Sequence, residues 1–131
     1  MNKTRRMTRL STAILLCLFL SGAHAAGTDP QPAGLAQAQS AGALQLQGRH
    51  AQAVTEFRAA LALAEQGTDR RWRVTLQGQL GGAQLAAGQL DEAASVLHSG
   101  LSIAESLCDA GLRSSLTNNL AHVLQAQGDT A

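Results

Sequence analysis

The stretch that decides the fold is residues 47–61, QGRHAQAVTEFRAAL, which returns 40 residues later as residues 87–101, AGQLDEAASVLHSGL. In each copy a glycine, Gly48 or Gly88, precedes apolar residues at three- and four-residue spacing, which predicts an amphipathic helix. A third glycine in the same setting is Gly128. Self-similarity at one fixed period is typical of a repeat array. Such an array presents a surface to a partner and does not enclose a catalytic pocket.

The same 40-residue register holds well beyond the glycines. The matching pairs are Ala43/Ala83, Ala53/Ala93, Leu61/Leu101, Ala64/Ala104, Glu65/Glu105, Asp69/Asp109, Arg73/Arg113, Leu76/Leu116 and Leu80/Leu120. Tyrosine is absent and β-branched residues are few, so the chain has little material for a sheet. The sequence therefore predicts an all-α fold.

Five helices are predicted between these turns. They span about residues 32–47, 50–66, 70–87, 90–108 and 112–127. Gly67 is expected to end the second helix in a left-handed conformation, and Thr68 or Asp69 to cap the third. The turn before the fifth helix is expected at Ala110-Gly111.

The first 25 residues have the three parts of a secretory signal peptide. Basic residues open the chain, residues 10–20 form an apolar run, and an Ala-x-Ala site ends at Ala25. The alternative is an uncleaved membrane anchor, but the run falls short of the roughly 20 residues that span a bilayer. We expect cleavage after Ala25, a periplasmic or secreted bacterial protein, a linker over residues 26–33 and no membrane contact after cleavage.

The charge of the chain changes once the signal is removed. Residues 26–131 hold six arginines, no lysine and nine acidic residues, for a net charge of −3. Their aromatic residues are Phe57 and Trp72. Nucleic-acid binding needs basic patches and stacking platforms, so this class of function is disfavoured. Trp72 lies among arginines and is expected to belong to the core, with a contact patch as the alternative.

No residues in the sequence have the spacing of a catalytic, cofactor or metal site. The histidines His50, His98 and His122 lack ligand spacing. Cys108 is the one thiol after the signal and is expected to be a buried apolar side chain, with intermolecular pairing as the alternative. A Cys108–His122 pair lacks a third group and oxyanion donors. We therefore expect a protein that is not an enzyme and needs no cofactor.

These motifs resemble a known family. Gly48, Ala53, Phe57 and the pair Ala60-Leu61 resemble the turn and second helix of a tetratricopeptide repeat, as do the matching residues of the second copy. Leu80-Gly81 is similar to the Leu-Gly pair of that family's first helix. The resemblance implies antiparallel helical hairpins stacked as a short right-handed solenoid of about 2.5 repeats. The repeats would span about residues 34–73, 74–113 and, in part, 114–131.

The chain departs from the common pattern in two ways. Its period of 40 residues exceeds the usual 34 and is similar to the repeats of kinesin light chains and of arrays that precede bacterial CHAT peptidase domains. Gln37 and Gln77 replace the large side chains usual in the first helix, and Gly100 replaces an alanine of the second.

The resemblance implies a protein–protein interaction module whose first helices line a concave groove for a protein or peptide segment. Carried onto this chain, the groove comprises Leu35, Ala38, Gln45, Thr75, Gln79, Leu85, Ser115, Asn118, Asn119, His122 and Gln125. It is nearly uncharged. We therefore expect no capture of acidic C-terminal peptides, which requires cations.

The last predicted helix is of the first type, and two interpretations of it stay open. It is either a cap, with one apolar stripe and a polar back, or a helix that later helices or a partner complete. The alternative functions are the N-terminal docking part of a larger CHAT-type peptidase and a self-associating structural protein, joined as a homodimer through this helix.

Overall fold

The computed structural model describes residues 31–130, and the predicted signal peptide lies outside the described residues. The fold of residues 31–130 is all-α, as predicted. Five helices follow one another: α1 (Leu35–Leu46), α2 (His50–Glu65), α3 (Arg70–Ala86), α4 (Leu90–Ser106) and α5 (Ala110–Thr130). Each helix packs against the next, and α3 also packs against α5. The chain is thus a row of helical hairpins, α1–α2 and α3–α4, followed by α5.

The periodic glycines end the first helix of each hairpin. Gly48 and Gly88 have positive φ angles of 74° and 76°. At the end of α1, the amide of Arg49 donates to the carbonyl of Leu44 at 2.9 Å, and the amide of Gly48 donates to that of Gln45 at 2.9 Å. These two bonds form a Schellman motif, which needs a left-handed residue that glycine adopts without steric cost. The same bonds recur at Gly88.

Aspartates begin the helices that follow each hairpin. The carboxylate of Asp69 accepts a hydrogen bond from the amide of Trp72 at 2.9 Å, as predicted. Forty residues later, the carboxylate of Asp109 accepts one from the amide of Leu112 at 3.0 Å. Each carboxylate satisfies an amide that has no partner within its own helix.

The ends of α2 and α4 differ from the prediction. Gly67 does not have a positive φ, so the expected left-handed cap at that glycine is wrong; Cys108 takes that conformation instead, with φ 54°. The amide of Asp109 reaches back to the carbonyl of Ala104 at 3.4 Å, which gives α4 a Schellman end without a glycine. The expected turn at Ala110-Gly111 is also wrong, because the Asp109 cap starts α5 at Ala110.

The third periodic glycine does not end its helix. Gly128 lies within α5, which continues to Thr130. Gly48 and Gly88 each precede a helix that folds back on its neighbour, whereas no helix follows Gly128 in the described part of the chain. The predicted repeats end after residues 73 and 113, and both limits fall inside a helix. They lie a few residues after the starts of α3 at Arg70 and of α5 at Ala110.

The core consists of two clusters of buried residues. The first lies around Phe57 and is rich in alanine, with Leu76 and Leu80 supplied by α3. The second lies around Leu97, Leu116 and Val123. Phe57 is the largest fully buried side chain of the first cluster, and the alanines around it leave room for its ring.

Glycine allows the closest contact between α3 and α4. A Cβ added to Gly81 would lie 2.6 Å from both Cγ and Cδ2 of Leu97, a distance that real side chains do not tolerate. Gln77, which replaces a large side chain of the family pattern, is buried beside this contact and donates to the hydroxyl of Ser99 at 3.2 Å. Gly81 therefore allows α3 and α4 to pack closely at this point.

Trp72 anchors the start of α3 to the segment before α1. It is half-buried against the first core cluster, and its Nε1 donates to the carbonyl of Ala33 at 2.9 Å. Its arginine neighbours reach the end of α4 and the start of α5, since Arg70 donates to the hydroxyl of Ser106 at 2.6 Å and Arg71 pairs with Asp109 at 2.6 Å. The prediction that Trp72 belongs to the core is confirmed.

Candidate partner-binding site

The first helices of the hairpins, α1 and α3, and helix α5 enclose an open cavity of about 300 Å³, here called the first-helix cavity. Its lining residues are Gln45, Val74, Thr75, Gly78, Gln79, Gly82, Leu112, Ser115, Leu116 and Asn119. Pockets of about 300–1,000 Å³ are typical of ligand sites, so this cavity is large enough for a few side chains of a partner.

Two glycines form part of the cavity wall. Gly78 and Gly82 lie one turn apart on α3, where the absence of side chains leaves room between α3 and α5. A Cβ on Gly82 would have the side-chain amide of Asn119 as its nearest neighbour, at 3.9 Å. A side chain at Gly82 would therefore fit without a clash, but it would fill part of the cavity.

The polar groups of the cavity are amides and hydroxyls, and some are already engaged. The hydroxyl of Thr75 donates to the carbonyl of Arg71 at 3.0 Å. The hydroxyl oxygen of Thr75 can therefore only accept a hydrogen bond from a ligand. Asn119 donates Nδ2 to the carbonyl of Gly78 at 3.3 Å, which directs its Oδ1 elsewhere as an acceptor. Gln45, Gln79 and Ser115 add further groups that both donate and accept.

The cavity carries no charge, because none of its lining residues is ionisable. Asp109 is an ionisable residue just before α5. The amide of Leu112 lowers the pKa of this carboxyl below its ordinary value; partial burial opposes the shift, and Arg71 and the amide of Gly111 add to it. This aspartate stabilises the helix start and does not line the cavity.

The structure brings together four of the eight residues predicted to bind a partner. Gln45, Thr75, Gln79 and Asn119 line the first-helix cavity, and Ser115 from the wider predicted groove joins them. The remaining predicted residues lie outside it. They are Leu85, which packs against the second core, and the exposed α5 residues Asn118, His122 and Gln125.

The wider predicted groove also included two residues at the start of α1. Ala38 is buried in the first core and Leu35 is half-buried, and neither lines the cavity. The lining residues that the sequence prediction missed are Val74, Gly78, Gly82, Leu112 and Leu116. They recur at four-residue spacing on α3 and on α5, which places each set on one stripe of its helix and is the signal that could have found them.

The residues considered for chemistry do not converge. In residues 31–130 no group of three or more His, Cys, Asp or Glu side chains is arranged to hold a metal ion. Cys108 is exposed, which corrects the expectation that it is buried; the left-handed cap conformation at the end of α4 keeps it out of the core. Among residues 31–130, no helix combines the length and the apolar character needed to cross a bilayer.

A second opening lies at the α3–α4 turn. It has a volume of about 500 Å³ and is lined by Gly88, Gln89, Leu90, Asp91, Glu92 and Gln127. Gln127 of α5 donates to the carboxylate of Asp91 at 2.9 Å across its floor. The acidic residues occupy the first turn of α4, where they complement the helix dipole.

A row of helical hairpins with an open, uncharged cavity along its first helices defines a helical-repeat module. The comparison with protein families agrees: the family model for the tetratricopeptide repeat matches residues 34–106, more than half of the chain. The chain belongs to the tetratricopeptide repeat family, whose repeats are generally non-catalytic and bind other proteins. No curated protein and no solved structure matched the chain.

Proposed function

We propose that this protein is an exported, non-catalytic module that binds an uncharged segment of a partner protein in the first-helix cavity. The observation that carries the proposal is the lining of that cavity, which combines two glycines with amide and hydroxyl groups and no ionisable side chain. Family membership supports a protein as the ligand.

The lining favours an extended peptide over a charged ligand. Every non-proline residue of a peptide offers one backbone donor and one acceptor, which amides and hydroxyls such as those of Gln79, Thr75 and Asn119 satisfy. A carboxylate would meet no cation here and would lose its hydration without compensation. Small side chains of the partner fit against Gly78 and Gly82.

The binding test uses a random peptide library displayed on phage and panned against the purified protein. We expect the selected peptides to be poor in acidic residues and to lose at least about tenfold in affinity for the Gly82→Leu variant, because leucine fills the cavity. The matched control is Gly42→Leu in α1, where an added Cβ meets nothing within 4 Å. Equal binding by both variants would contradict the proposal.

Export is the second part of the proposal and rests on the signal-peptide pattern of residues 1–25. Amino-terminal sequencing of the protein recovered from the periplasm or medium is expected to start at Ala26. Recovery of the chain from the cytoplasm with its first residues intact would refute export. The likeness to the long repeats of kinesin light chains and CHAT-associated arrays belongs to the proposal as well, and rests on the 40-residue register.

A further inference from the structure

The first-helix cavity is apolar at one end and polar at the other. Val74 is the first lining residue of α3 and Leu112 the first of α5, and both lie near the starts of these helices. Leu116 follows one turn after Leu112 and is buried in the second core with Val74. The side-chain amides lie further along their helices, at Gln45, Gln79 and Asn119. The two ends therefore offer a ligand different chemistry.

Contacts between α3 and α5 fix the level of each group along the cavity. A Cβ added to Gly78 would lie 3.4 Å from Cδ2 of Leu116, so this leucine lies at the level of Gly78. Asn119 donates Nδ2 to the carbonyl of Gly78, and the same nitrogen is nearest to a Cβ added at Gly82. The amide of Asn119 therefore lies beside the turn of α3 between Gly78 and Gly82. The apolar side chains lie beside the preceding turn, which starts at Val74.

Gln45 belongs to the polar end. Nε1 of Trp72 donates to the carbonyl of Ala33, which places the segment before α1 beside the start of α3. Gln45 is the last residue but one of α1 and therefore lies toward the later turns of α3. The polar end thus combines the amide of Gln45 with those of Gln79 and Asn119.

We propose that the cavity binds an extended partner segment that carries an aliphatic side chain and, two residues away, a side-chain carboxamide. The inference rests on the proposed function and specifies the segment. Alternate side chains of an extended chain face the same way about 6.6 Å apart, and one helical turn rises about 5.4 Å. The two side chains therefore match the two ends of the cavity to within about 1 Å.

Asn119 is the residue that selects a carboxamide. Its Nδ2 donates to the carbonyl of Gly78, so its Oδ1 can only accept a hydrogen bond from the ligand. A ligand carboxamide donates to this oxygen and accepts from Gln79 or Gln45. A carboxylate would place an acceptor against an acceptor, and an ammonium group would meet no carboxylate among the lining residues. A hydroxyl has one donor where a carboxamide has two, so it leaves more of these amides unsatisfied.

The apolar end selects an aliphatic side chain through Leu112. This leucine is half-buried, and Val74 and Leu116 beneath it are at most 1% exposed. An aliphatic side chain of the partner removes the accessible surface of Leu112 from water, whereas a polar side chain would lose its own hydration there. The hydroxyl of Thr75 compensates little, because its proton is donated to the carbonyl of Arg71.

The first test is an alanine scan of the tightest peptide from the phage library, with binding to the unmodified protein followed by fluorescence anisotropy. We expect losses of at least about tenfold at an aliphatic residue and at an asparagine or glutamine two positions away. The residue between them is the internal control. Its side chain faces away from the cavity in an extended segment, so its replacement should change the affinity less than about twofold.

The second test changes the preference through Asn119. The carboxylate of Asn119→Asp attracts a cation, so a peptide with lysine in place of its carboxamide residue should bind this variant at least about tenfold more tightly than the unmodified protein. The matched control is Asn118→Asp, at an exposed position of α5 outside the cavity. It adds the same charge and should leave the affinities of both peptides unchanged.

The outcomes separate this inference from the proposed function. An alanine scan without the paired losses would overturn the inference, and so would equal preferences of folded Asn119→Asp and Asn118→Asp for the two peptides. The proposed function would survive either result if Gly82→Leu still abolished binding. The scan uses the unmodified protein, so it decides the inference even where Asn119→Asp fails to fold by circular dichroism.

Discussion

The two hairpins share one register but fill it differently. At the centre of α1–α2, Ala41 and the flat ring of Phe57 are both buried in the first core. At the same positions of α3–α4, a branched Leu97 is accommodated because Gly81 has no side chain. The comparison teaches that one repeat register accommodates two divisions of the volume between the facing residues, alanine with phenylalanine and glycine with leucine.

The largest expected effect comes from giving the second hairpin the alanine of the first. Gly81→Ala places a Cβ against Leu97 and should destabilise the fold by about 1–3 kcal/mol in urea unfolding, because α3 and α4 must move apart. The control Gly82→Ala, whose Cβ meets nothing closer than 3.9 Å, should stabilise the fold by about 0.5–1 kcal/mol. Stabilisation by both changes would show that the two hairpins do not differ at this contact.

A smaller effect is expected where the second hairpin has a glutamine and the first has Leu44. Gln84 is 3% exposed, and its Oε1 is buried without a hydrogen-bond partner among the described residues. Gln84→Leu should stabilise the fold by about 1–2 kcal/mol in the same assay, because an unsatisfied buried acceptor is removed. The control is Gln66→Leu, at an exposed position. An unchanged urea midpoint for Gln84→Leu would contradict the claim that its buried oxygen destabilises the fold.

The ends of the helices provide a third comparison. Gly88 and Cys108 both occupy left-handed positions, but only the cysteine bears a Cβ. Cys108→Gly should therefore raise the free energy of unfolding by about 0.5–1 kcal/mol, and Gly88→Ala should lower it by a similar amount. Thermal unfolding under reducing conditions measures both, and a loss of stability in Cys108→Gly would refute strain at this residue.

The smallest effect is a pH dependence of stability at Asp109, the cap of α5. The folded pKa of Asp109 lies below its ordinary value of 3.8, so ionisation of this group stabilises the fold above about pH 4. The contribution is lost as the pH falls through the folded pKa. Asp109→Asn keeps an acceptor for the Leu112 amide, so its melting temperature should approach that of the unmodified protein only below about pH 4. A difference in melting temperature between Asp109→Asn and the unmodified protein that is equal above and below about pH 4 would contradict the lowered pKa.

The sequence predicted features that depend on local chemistry. The helix ends at Gly48 and Gly88 and the cap at Asp69 follow from backbone rules that act within a few residues. The end of α4 was mispredicted because no glycine marks its left-handed position, which Cys108 takes while the amides of Cys108 and Asp109 close the helix.

Half of the residues that line the first-helix cavity were not predicted from the sequence. Periodicity assigns residues to a face of a helix, but it does not tell which face a neighbouring helix covers. Gln79 and Asn119 were therefore placed correctly in the lining, whereas Leu85 belongs to a neighbouring core. The glycines Gly78 and Gly82 give no apolar signal, although their lack of side chains helps to create the cavity.

The most direct test of the account is the map of backbone amide chemical shifts during titration with a peptide selected from the phage library. Binding in the first-helix cavity predicts the largest shifts at Gly78, Gly82 and Asn119, and small ones at Gly88 and Asp91 around the second opening. Largest shifts at the second opening, with Gly78 and Gly82 unchanged, would contradict the central claim that the first helices of this repeat protein bind the partner.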